Sequence, residues 1–198
     1  CWLSREINGV RMPARADIVL ADAHPADRDF WQSAKGMYSG TMAVTIDAPP
    51  DAVWPWLVQI GYQRGGLYSY DWLDRLFGYL DRSSATRILP EFQRLSVGDE
   101  IPLGRGPSWP VAVAEAPSAL VLDMRNLNGF DWVWQFGIYA IDGHRTRLVS
   151  RSRVRTQSMG FRLATYVIEP PGFIMTRRML LGIKRRAEAL HASVAKAA

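Results

Sequence analysis

Two periodicities run along this chain in a fixed order. Thr41 to Asp47 alternates apolar and polar residues, as a half-buried strand does. Ala48-Pro49-Pro50-Asp51 ends that run and opens a helix, since proline is tolerated in a first helical turn. Val53, Trp54, Trp56, Leu57 and Ile60 then recur at helical spacing, and Gly61 stops them. A loop rich in glycine and tyrosine, Gln63 to Tyr70, leads into a second short helix. Its apolar side is predicted to hold Trp72, Leu73, Leu76 and Phe77, with Asp71 as cap and Gly78 as terminator.

Period two returns after a mixed segment that contains Arg87-Ile88-Leu89-Pro90-Glu91. Val97 to Leu103 reads as a short strand, and Gly104 to Pro110 as a connection. Val111–Glu115 and Ala119–Met124 form a hairpin around Ala116-Pro117-Ser118. A second hairpin pairs Asp131–Ile141 with Thr146–Thr156 across the turn Asp142 to Arg145. With that turn, Ile141 faces Thr146, Trp132 faces Arg155, Trp134 faces Arg153 and Phe136 faces Arg151. One face would then alternate aromatic rings with arginines, a geometry for cation–π contacts. Turned inward, Arg151 or Arg153 would bind an acidic head group; turned outward, the face is a basic aromatic surface. Arg162 to Ala195 is helical in composition, with a break expected at Pro170-Pro171-Gly172. Its later part sets Phe173, Met175, Met179, Leu180 and Ile183 along one side. Arg177, Arg178, Lys184, Arg185 and Arg186 are expected to be exposed.

This order predicts an α+β domain. A curved antiparallel sheet carries two short helices, and a long C-terminal helix covers a cavity against it. Residues 1–40 scatter their charges with weak periodicity. They are expected to form an N-terminal extension, packed on the domain or leading from an upstream anchor or signal segment, and 41–198 to form the domain.

Several stretches carry a family resemblance. They are Ile46 to Leu57; Arg64-Gly65-Gly66-Leu67-Tyr68-Ser69-Tyr70-Asp71-Trp72-Leu73; Arg87 to Glu91; Val97-Gly98-Asp99; Thr146-Arg147-Leu148; and Met179 to Glu188. With these the chain resembles the SRPBCC superfamily (START, Bet v 1-like and polyketide cyclase-like proteins), and within it the bacterial group common in actinobacteria. The resemblance covers about residues 41–190 and leaves 1–40 outside. It implies the helix-grip fold and a cavity for a hydrophobic ligand. Superfamily members include binders, lipid carriers, aromatase/cyclases and hydrolases, so the fold does not choose a function.

Composition narrows the chemistry only a little. Hydrophobic content of 48% and charged content of 22% are ordinary for a globular chain. The 8 tryptophans favour a ligand surface, because indole collects where one edge is apolar and the other wet. Net charge is +5 and the pI about 9.7. That permits attraction to anionic partners, although an arginine-rich composition explains it as well. Cys1 can form no internal disulfide. His24, His144 and His191 have no ligand spacing, so neither a metal nor another cofactor is expected. No nucleic-acid module is recognisable, and none is expected as a partner. No run reaches the roughly 18 apolar residues of a membrane span. The expected location is the cytoplasm or the cytoplasmic side of a membrane, with the oligomeric state open.

The candidate cavity lining is Trp54, Tyr68, Tyr70, Trp72, Arg87, Trp132, Trp134, Phe136, Arg151, Arg153, Met175 and Met179. Each has a plainer reading, since aromatic runs are mostly core and arginines mostly surface. Three functions stay open: a binder or carrier of a hydrophobic, optionally acidic, lipid- or polyketide-like molecule; a cyclase, dehydratase or hydrolase using Tyr68, Tyr70, Arg87 or Glu91; and a module touching membrane through the basic C-terminal helix.

Overall fold

The alternating segments pair into one sheet. The structure, a computed structural model, describes residues 4–6, 37–127, 130–156 and 159–197; most of the expected extension, 7–36, lies outside these. The strands are β1 (Ser4–Glu6), β2 (Met37–Ile46), β3 (Glu100–Pro102), β4 (Ser108–Glu115), β5 (Ala119–Leu127), β6 (Phe130–Ala140) and β7 (Thr146–Thr156). Their order is β1-β2-β7-β6-β5-β4-β3. All neighbours are antiparallel except β1, which runs parallel to β2. The helices are α1 (Pro50–Val58), α2 (Asp71–Leu76) and α3 (Met159–Ala197).

Two expectations are corrected by the element bounds. The expected break at Pro170-Pro171-Gly172 is absent, and α3 is one helix of 39 residues. Two missing N–H donors cost locally, but Met179, Leu180, Ile183 and Ala187 bury the following turns in the main core. The five basic residues of α3 are also not uniformly exposed. Lys184 donates to the Thr45 carbonyl and pairs with Glu188, and Arg186 donates to the carbonyls of Ala85 and Gly182.

The last hairpin differs in a way that matters for function. Its final pair is Ala140 with Thr146, so residues 141–145 form the loop. The Asp142 carboxylate holds that loop, accepting from the backbone N–H of His144 and of Arg145. One extra loop residue moves every pair by one, so side chains expected to face each other fall on opposite faces of the sheet. Trp132 therefore faces Val154, Trp134 faces Ser152 and Phe136 faces Ser150. Arg151 faces Gln135, Arg153 faces Val133 and Arg155 faces Asp131. The alternating aromatic–arginine face does not form.

On the inner face, Val44, Ile46, Leu120, Leu122, Phe136, Ile138 and Leu148 pack with Val53, Trp56, Leu57 and Ile60 of the α1 region and with α3. Tyr68 binds these layers together. It is 1% exposed, and its backbone N–H donates to Ser84 Oγ. Its hydroxyl accepts from Gln59 Nε2 at 2.9 Å, its ring meets Trp56 edge-on, and the Arg186 guanidinium lies 4.6 Å from the ring centre. Gln59, itself fully buried, also accepts from Leu89 N–H and donates to the Arg87 carbonyl.

The contact between this loop and α3 needs a glycine. A Cβ at Gly182 would stand 2.2 Å from the Tyr68 carbonyl oxygen, a backbone atom that cannot swing away. Gly182→Ala should therefore destabilise the fold by about 1–3 kcal/mol or more in denaturant unfolding. Gly106→Ala, with no neighbour within 4 Å of the new Cβ, should change stability by under about 0.5 kcal/mol. Equal effects at the two positions would contradict this packing.

Candidate functional site

Burial on the inner face falls off along every central strand in the same direction. On β6, Ile138 and Phe136 are buried while Trp134 and Trp132 are half-exposed. On β5, Leu120 and Leu122 are buried and Met124 is not. On β2, Ile46 and Val44 give way to Met42 and Gly40; on β7, Leu148 and Ser150 give way to Ser152 and Val154. One end of the face is sealed by α1 and α3. The other, from which β7 leads into α3, stays accessible.

At the accessible end the half-exposed Trp132 and Trp134 continue a ladder of rings from the buried Trp109 and Phe136. Trp109 on β4 meets Trp132 with ring centres 4.6 Å apart and Trp134 at 6.1 Å, both edge-to-face. Trp134 lies 5.0 Å from Phe136. Edge-to-face pairing suits the ring quadrupole. Each indole of β6 is tethered across the hairpin: Trp132 Nε1 donates to Ser152 Oγ at 2.7 Å, and Trp134 Nε1 to Ser150 Oγ at 2.9 Å. The rings are thus fixed in orientation, with their polar edges already satisfied. Among the described side chains of this face on β2, β5, β6 and β7, none is ionisable.

The arginines expected here lie on the opposite face. Arg151 donates to Thr41 Oγ1 there, and Arg155 pairs with Asp131. The register shift therefore removes Arg151 and Arg153 as partners for a head group on the aromatic face. Trp109, Ser150 and Ser152 are new members of the site. The serines alternate with Arg151 and Arg153, which was their only signal in sequence; Trp109 was hidden in a Gly/Pro-rich stretch.

The other candidates do not gather at the ladder. Trp54 is half-buried against the main core, and Met179 is buried within it; Met175, one turn earlier on α3, is half-buried. Arg87 and Glu91 are exposed, and Arg87 contributes only its carbonyl to the Gln59 network. Burial raises the Tyr68 hydroxyl pKa, so Tyr68 remains a neutral phenol committed to Gln59. Tyr70 is half-buried beneath the Arg178 guanidinium, 5.4 Å away.

The second helix is turned inside out relative to the expectation. Trp72, Leu76 and Phe77 are 67%, 72% and 56% exposed, while Asp74 is fully buried. Polar bonds decide this orientation. Ser69 Oγ donates to Asp74, and Ser84 donates through both N–H and Oγ to Asp71. Asp71 thus ties the helix to the 84 region instead of capping it, and the N-cap Tyr70 makes no side-chain cap.

Among the described residues no cluster of three or more His, Cys, Asp or Glu side chains is placed to hold a metal, and no helix is long and apolar enough to cross a membrane. No family model and no curated protein matches the sequence. Solved structures overlap loosely. An aromatase/cyclase from Streptomyces sp. R1128 is 17% identical, covers 78% of this chain and 98% of its own, and has a TM-score of 0.42. Truncated norcoclaurine synthase from Thalictrum flavum is 12% identical over 78% of this chain and 92% of its own, at 0.44. A conserved protein of unknown function from Enterococcus faecalis is 14% identical over 74% and 70%, at 0.46. Strand order, pairing and the long closing helix carry the assignment. The chain has a helix-grip fold. In this helix-grip domain the accessible inner face lies at the end from which β7 leads into α3.

Asp74 gives the fold a defined pH response. Burial, with a smaller push from Asp71 and a counteracting bond from Ser69, raises its carboxyl to about 6 from 3.8. Between about pH 4 and 6 the folded state holds a proton that the unfolded state has lost, so stability falls as pH rises through that window. Above it the loss is complete. Asp74→Asn should flatten this slope and raise stability near neutral pH by about 1–3 kcal/mol. Unfolding midpoints measured from pH 4 to 7 check this; an unchanged slope in the variant would contradict it.

Proposed function

We propose that the accessible end of the inner face binds and carries a hydrophobic small molecule. The half-exposed rings of Trp132 and Trp134, backed by the buried rings of Trp109 and Phe136 at the less covered end of the core, are the observation that supports this reading. Half-exposed indoles whose N–H groups are already bonded have only their faces to offer. They suit an apolar or aromatic body better than a hydrogen-bonding one. With the arginines on the other face, the favoured ligand is neutral or carries its polar group into solvent.

Binding is favoured over catalysis because the groups that chemistry would require are dispersed. Arg87 and Glu91 are exposed and the Tyr68 hydroxyl is committed to Gln59. Cyclase and synthase activities are known by name for the Streptomyces and Thalictrum proteins, and for this chain they remain secondary to carriage.

Fluorescence titration with N-phenyl-1-naphthylamine, a neutral apolar probe, tests the reading. Wild-type protein should bind it, Trp134→Ala should weaken binding about tenfold or more, and Trp72→Ala should leave it unchanged. The sulfonated analogue should bind no more tightly than the neutral probe. Loss of binding in Trp72→Ala alone, or strong preference for the sulfonate, would contradict the site.

A further inference from the structure

The outward face of α2 is not explained by the inner site. Trp72, Leu76 and Phe77 stand in solvent, joined by Tyr79 at 41% exposure; Phe77 and Tyr79 lie with ring centres 6.2 Å apart. These are side chains that folding normally hides, gathered on a six-residue helix and the turn after it. The orientation is fixed, because the Asp71–Ser84 and Asp74–Ser69 bonds turn the polar side of α2 inward.

The surroundings of the patch are cationic. Arg75 and Arg82 are exposed; Arg75 donates to Ser83 Oγ, and Arg82 to the carbonyls of Gln63 and Arg64. Arg105 stands beside Gly78, its Cδ 3.9 Å from where a Cβ would sit. Arg178 covers Tyr70, the residue just before α2. The acids of the segment do not offset these charges equally: Asp74 is fully buried and Asp71 is bonded to Ser84, which leaves Asp81 exposed.

We propose that this face docks on an anionic lipid surface. Trp72, Leu76 and Phe77 enter the headgroup boundary, and Arg75, Arg82 and Arg105 lie over the phosphates. Tryptophan and tyrosine prefer that boundary, and arginine keeps its guanidinium at the charged level while its stem lies along the apolar zone. Charge complementarity selects this occupant over a second copy of the chain. A two-fold contact through the patch would set the same arginines against each other.

Flotation of the full chain with vesicles tests the proposal. Phosphatidylcholine vesicles containing about 30% phosphatidylserine should carry the protein, pure phosphatidylcholine should carry little, and added salt should reduce the bound fraction. Trp72→Ser combined with Phe77→Ser should lower partitioning about tenfold or more with circular dichroism unchanged, since both side chains are exposed. Arg75→Glu with Arg105→Glu should lower it on anionic vesicles only. Absence of flotation at low salt, or equal flotation of the double serine variant, would overturn the proposal. So would a concentration-dependent dimer abolished by Trp72→Ser, which would give the patch to a second copy. The probe titration at the inner site is a separate readout, so either proposal can fail alone.

Discussion

Tyr68 adopts a left-handed backbone conformation, with φ 55, and its side chain reaches the middle of the molecule. That conformation costs a non-glycine residue free energy and persists only where the surroundings over-determine it. Here they do. The N–H is taken by Ser84, the hydroxyl by Gln59, the ring by Trp56 and Arg186, and the carbonyl by the bare backbone at Gly182. The glycine-rich loop thereby locks α1 to the second half of α3. Because the lock lies at one end, α3 grips the sheet tightly there, and the inner face is sealed by large aliphatic side chains.

The far end is governed by a different constraint, the register of the last hairpin. A five-residue loop turns Trp132, Trp134 and Phe136 toward α3 and sends Arg151, Arg153 and Arg155 to the other side. It also brings Ser150 and Ser152 under the indoles, where they fix the rings and satisfy the only strong donors on those side chains. One loop residue fewer would set arginines beside the rings and change the class of ligand the face suits. The proposed specificity for a neutral apolar body therefore depends on a turn that touches no ligand.

Much of the fold was legible because its periodicities are strong. The long strands, the glycine stop at Gly78 and the closing helix were all visible as pattern, whereas the first helix ends at Val58, short of Gly61. What stayed hidden depended on tertiary partners. The hairpin register turned on whether Ile141 belongs to the strand or the loop, and Asp142 decides that by bonding His144 and Arg145. The exposed face of α2 contradicted its hydrophobic spacing because Ser69 and Ser84, outside the helix, claim its acids. The continuity of α3 through Pro170 and Pro171 likewise came from contacts of later turns. In the candidate site, Trp132, Trp134 and Phe136 were named from the alternation of the last hairpin. Trp109 and the two serines became evident only once the strands were paired.

The indole N–H signals of the 8 tryptophans report, one residue at a time, which aromatic surface meets ligand. In nitrogen-15 correlation spectra recorded during titration with a neutral apolar compound, the signals of Trp109, Trp132 and Trp134 should shift together and saturate, while those of Trp56 and Trp72 stay fixed. Shifts confined to Trp72, with the three ladder indoles unmoved, would contradict the account.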